Sequence, residues 1–280
     1  MSLKVECEVN IESDPYVLAW DNKLFVGTED GSIKSYDAIL SPKESWAAHA
    51  VQLFSMDAAG GKVYSASNDG GVKVWSAQGE KLCDLPHSGG DIESLHVYGP
   101  NVFTGDDIGV VTVYENYTEK AKYNVLEEVK SLQFRPPFLF TARDLYVTVT
   151  EIKPEESKYG FAVRHTMEGR APLRLTGDWL LTMSRNCNTL KLHYATVDQE
   201  FKQLDEVKVS DMIVTSLAVS GDHVWTGGWD GHIRRWKIAG DKLEPAGDID
   251  IGACVNALVA DNETVYAGVT GGKVMKIKGT

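Results

Sequence analysis

One motif recurs along this chain and constrains it more than any other feature: an apolar strand, a small and a polar residue, Asp-Gly, then an alternating strand ending in an aromatic. Its clearest copies, KVYSASNDGGVKVW at residues 62–75 and HVWTGGWDGHIRRW at residues 223–236, align without a gap. KLFVGTEDGSIKSY at residues 23–36 is a third copy in the same register. NVFTGDDIGVVTVY at residues 101–114 is a fourth, with Ile108 in the Asp position. Three weaker copies end at Thr150, His193 and Ile277. Period-two alternation, as in Val72-Lys73-Val74-Trp75, marks strands, and no helical stripe of any length is present.

The copies end at Tyr36, Trp75, Tyr114, Thr150, His193, Trp236 and Ile277, separations of roughly 36–43 residues, close to the ~40–45 residue period of propeller blades. Each unit reads as four short strands. An apolar stretch such as Ile92–Val97 or Val214–Val219 comes first, then the two strands flanking the turn, then a more polar outer strand. The predicted fold is all-β, a seven-bladed β-propeller of four-stranded blades forming a single domain over residues 1–280. The last blade ends on its third strand at Lys273–Ile277, whereas Lys4–Ile11 alternates and precedes the first blade. The N-terminal strand 4–11 is therefore expected to complete the last blade and close the ring, which removes two exposed sheet edges.

These repeats resemble those of the WD-repeat (WD40-repeat) family over essentially the whole chain. In that family a buried hydrogen-bonded set links an Asp in the turn, a Ser or Thr on the preceding strand, a Trp on the following strand and a His in the loop before the blade. The resemblance assigns these roles to Asp69, Ser65, Trp75 and His49 in blade two, and to Asp230, Thr226 and Trp236 in blade six, which lacks the His. His87 lies where the same His would stand for blade three. Elsewhere the pattern thins: Asn186 replaces Asp in blade five, Gly271 in blade seven, and blade four is one residue short around Asp144.

A net charge of −12 on 280 residues argues against a general nucleic-acid or anionic-membrane binder, both of which need cationic surface. Cys7, Cys83, Cys187 and Cys254 show no metal-ligand spacing, and no apolar run follows the N-terminus, so a reduced, cytoplasmic or nuclear location is expected. The sequons at Asn116 and Asn262 carry little weight in that setting. No stretch is long and apolar enough to span a membrane.

Catalytic chemistry leaves no linear trace. The seven histidines show no metal-binding spacing, the turn aspartates Asp30, Asp69 and Asp230 read as turn-fixing carboxylates, and Gly60-Gly61, Gly89-Gly90 and Gly271-Gly272 precede no helix that could hold a phosphate. No metal or cofactor is expected.

A partner would meet the face that carries the Asp-Gly turns. The residues just before each Asp position are Glu29, Asn68, Asp107, Arg143, Arg185, Trp229 and Thr270. Acid or amide stands on blades one to three, with Asp91 and Glu93 nearby. Arginine stands on blades four and five, with Lys130, Arg170 and Arg174 on the inner-strand side. The functional reading is a groove for an acidic or phosphorylated peptide; the plainer one is a solvated rim whose arginines pair with neighbouring acids. Trp229 is expected to be exposed at its turn, while Trp225 packs between blades. The leading expectation is a non-enzymatic scaffold or adaptor, monomeric alone, that binds protein or peptide partners through Trp229, Arg185, Arg143, Arg174 and Lys130. The alternatives are a propeller enzyme with its site at the channel mouth and a permanent subunit of a larger complex.

Overall fold

The computed structural model describes residues 2–86 and 89–279, and His87 lies outside them. All regular structure among the described residues is β: twenty-eight strands in seven four-stranded antiparallel sheets. The chain is a seven-bladed propeller. Blades one to six each take four consecutive strands, beginning with inner strands Pro15–Trp20, Leu53–Ala59, Ile92–Tyr98, Ser131–Arg135, Arg170–Thr176 and Val214–Ser220. Blade seven takes Val255–Asp261, Thr264–Val269 and Lys273–Gly279, and its outer strand is Leu3–Asn10. That strand runs antiparallel to Lys273–Gly279, with one register shift between Val5 and Cys7. The two halves of blade seven are thus joined only by hydrogen bonds and packing.

Burial is distributed by interface rather than gathered at one centre. Seven apolar clusters lie between successive blades, such as Phe25, Ile33, Leu53, Val63 and Trp75 between blades one and two, and Leu24, Val26, Tyr36, Tyr266 and Val274 between blades seven and one. One position on each second strand supplies a large wedge to this core: Phe25, Tyr64, Phe103, Phe140, Leu181, Trp225 and Tyr266, all buried. The residue two further along must be small in most blades because the neighbouring blade approaches closely there. A Cβ on Gly105 would stand 2.4 Å from Val129 Cγ1, and one on Gly227 2.6 Å from Val255 Cγ1.

The weaker repeats differ in their turns. Across the hairpin, Ser65 faces Lys73 in blade two, Thr141 faces Thr148 in blade four and Thr182 faces Lys191 in blade five, separations of eight, seven and nine residues. Blade four is therefore one residue short and blade five one residue long. The longer turn carries Arg185, with Cys187 at a φ of 54° to complete it.

Candidate functional site: the turn face and the central channel

In blade two the Asp69 carboxylate accepts a hydrogen bond from His49 Nδ1 at 2.5 Å. His49 Nε2 lies 2.8 Å from Ser65 Oγ, which accepts from Trp75 Nε1 at 2.9 Å. His49 thus spans turn and core, with Ser65 as the relay to the indole. Burial pushes the Asp69 carboxyl up, but the Ala50 amide, His49 and Lys73 outweigh it and hold the pKa at about 2. Burial lowers the His49 pKa, against the pull of Asp69. Blade six makes the same link from Trp236 Nε1 to Thr226 Oγ1 at 3.1 Å, and there Arg234 Nη1 donates to Asp230 at 2.7 Å. Lys73 and Arg234, four residues after their aspartates, were missed as members of this set. The opposite charge one hairpin-turn downstream was the signal available for them.

The inner strands begin, and the Asp-Gly turns lie, on the same face. Of its seven turn residues, Glu29, Asn68, Asp107, Arg185, Trp229 and Thr270 are exposed, whereas Arg143 is half-buried. The predicted cationic sector is smaller than the sequence suggested. Arg143 pairs with the Glu127 carboxylate and lies over the Tyr146 ring. Lys130 is held by Asp144 at 2.8 Å and Glu128 at 3.3 Å. Both are supplied with acids by the loop that leads into blade four. Arg174 does not reach this face: it sits well along the inner strand, in the wall of the channel. What remains is Arg185, exposed with no acidic partner among the described residues, and Arg170, which donates to the Arg185 carbonyl at 3.1 Å.

Next to Arg185 the surface turns apolar. Trp229 is 58% exposed and Met212 53%, with Ile213 between them in the chain path. The loop carrying Met212 and Ile213 is clamped on both sides: Val214 N donates to Cys187 O in the blade-five turn at 2.6 Å, and Trp229 N donates to Ile213 O at 3.0 Å. Arg185, Met212, Ile213 and Trp229 therefore share one hydrogen-bonded platform. Trp225 and Trp236 are buried.

The channel itself holds about 670 Å³ and is walled by the seven inner strands. At its mouth five blades share a bulge at one position, so that Tyr16, Phe54, Glu93, Thr215 and Asn256 fall outside the regular pairing. Bulges re-aim side chains where a sheet borders an opening, and these five, with Lys130, line the entrance. Burial, then the neighbouring Glu128 charge, raise the Glu93 pKa to about 6 despite Lys130. Sequence reasoning missed this ring because a bulge leaves no mark in an alternating run.

No family model matches the chain, and no curated protein matches it. Among solved structures, the computationally designed Ika8 protein is similar, with a TM-score of 0.74 at 20% identity over 96% of this chain and 97% of that one. At that identity the likeness is one of fold.

Proposed function

We propose that this chain is a WD-repeat-type interaction platform, without catalytic activity of its own, that holds an extended acidic or phosphorylated peptide across blades five and six. The supporting observation is the pairing of an exposed tryptophan with an unneutralised arginine on one clamped platform. A rigid surface loses little entropy on binding, and Trp and Arg are the residue types that most often dominate interface energy. In this reading Trp229, Met212 and Ile213 receive an apolar anchor, while Arg185, with Arg170 behind it, receives the carboxylate or phosphate. Arg143 and Lys130, bound to their own acids, frame the site rather than bind. The His49, Asp69, Ser65 and Trp75 chain supports the WD-type assignment. The chain acts as a monomer inside the cell, binds no nucleic acid and does not insert into a membrane.

The test is affinity capture from cell extract with wild type and a Trp229→Ala, Arg185→Glu variant that melts at the same temperature. Partners retained by wild type and lost from the variant are expected, with Trp229→Ala alone weakening a captured peptide by about 2 kcal/mol. Equal capture by both proteins would move binding off this face and overturn the proposal.

A further inference from the structure

The seven inner strands place equivalent residues at one depth of the channel. Asp57 faces Tyr64 across its hairpin, His96 faces Phe103, Gln133 faces Phe140 and Arg174 faces Leu181. In the remaining blades Ala218, Val259 and Ala19 face Trp225, Tyr266 and Phe25. All seven line the channel. The layer is therefore divided: a polar arc on blades two to five and an apolar arc on blades six, seven and one.

Within the polar arc three members lie side by side. Asp57 accepts from the Ala58 and Val97 amides, each at 2.8 Å, and lies 3.5 Å from His96 Nδ1, which is 3.4 Å from Gln133 Nε2. Arg174 is different. Its guanidinium donates to the carbonyl of its own neighbour Leu173 at 2.8 Å and meets no carboxylate among the described residues. Enclosure by the channel wall lowers its pKa, and the one charge opposing this is Asp57, three blades away with its oxygens already engaged. A guanidinium half-buried in a channel wall, with no carboxylate beside it, still offers its planar fork of donors, and carboxylate and phosphate match that fork.

We propose that the channel binds a small carboxylate- or phosphate-bearing molecule, its anionic group on Arg174 with Gln133 and His96 alongside, its apolar part against Ala218, Val259 and Ala19. The volume suits a ligand of that size. Arg174 lies deeper in the channel than the rim platform, and the proposal stands whether or not that platform binds peptides. The overall charge of −12 works against diffuse anion uptake, so saturable binding would report a built site.

Calorimetric titration with inorganic phosphate, and separately with succinate, at ionic strength held constant with chloride, tests it. Saturable 1:1 binding of at least one of them is expected, weakened about tenfold or more in Arg174→Met, less in Arg174→Lys, and unchanged in Lys4→Gln, an exposed cation on the outer strand of blade seven. Absence of saturable binding by both anions, or wild-type affinity in Arg174→Met, would sink the proposal. Thermal unfolding in anion-free buffer gives a second reading. Arg174→Met should melt at or above the wild-type temperature, since it removes an uncompensated charge. A clear fall would instead make Arg174 the structural partner of Asp57 and overturn the assignment.

Discussion

At the scale of single residues, buried histidines are expected to make this fold sensitive to acid. His193 takes the position that Trp75 and Trp236 hold in their blades; it is 3% exposed and its Nδ1 lies 3.3 Å from the Phe201 carbonyl. Burial lowers its pKa to about 4, the Phe201 bond opposing. A histidine whose folded pKa is depressed is stabilising while neutral, and that contribution falls as the unfolded chain takes up protons below about 6.5. Between pH 7 and pH 5 wild type is expected to lose on the order of 2 kcal/mol more than a His193→Asn variant. Urea unfolding of both proteins at the two pH values measures this double difference, which cancels the other titrating groups. Equal slopes would show that His193 takes up a proton as readily in the folded protein as in the unfolded chain, contrary to the expectation. Asp69 acts in a lower window. Its folded pKa of about 2 lies below the usual carboxylate range, so its contribution is present above about pH 4 and lost as pH falls through 2.

At the scale of the element, the repeat works because each hairpin offers a wedge and a gap. The wedge residues are apolar and large, and the gap two residues along is Gly27, Gly105, Gly227 or Gly268 in four blades. Gly227 has an ordinary backbone conformation, so the cost of a side chain there is steric alone: its Cβ would meet Val255 at 2.6 Å, on the inner strand of the next blade. Gly227→Ala is expected to destabilise the protein by roughly 1–3 kcal/mol through overpacking, read as a lower denaturant midpoint with an unchanged slope. An unaltered midpoint would mean that blades six and seven can part without penalty. The hairpins themselves were legible in the sequence, since alternation and Asp-Gly turns are short-range signals. The bulges at Tyr16, Phe54, Glu93, Thr215 and Asn256 were not, because they arise where inner strands crowd around the channel and leave the residue pattern intact.

At the scale of the whole molecule, ring closure joins the ends of the chain. Leu3–Asn10 seals the outer edge of blade seven, and Tyr266 of that blade donates to the Ala38 carbonyl of blade one at 3.1 Å. Blades seven and one share a core of Leu24, Val26, Tyr36 and Tyr266. Removing residues 1–12 exposes the edge of Lys273–Gly279 and strips Cys7, Val9 and Ile11 from that core. Loss of a single cooperative melt, a larger hydrodynamic radius and concentration-dependent association are the expected results. Scattering and unfolding measurements that match wild type would show that the remaining strands close the ring unaided.

The chain by itself determined the strand, the turn, the sevenfold repeat and the source of the closing strand, because each is written in residues that are neighbours or stand one period apart. It also marked Trp229 and Arg185 as turn residues. Which cations remain free was decided only in three dimensions. Arg143 and Lys130 meet Glu127, Glu128 and Asp144 across a loop and a hairpin, while Arg174 faces a channel rather than the rim. The polar arc of Asp57, His96, Gln133 and Arg174 draws one residue from each of four blades. Nothing couples those positions along the chain; closing the ring brings them to one depth, where their polar groups share one channel.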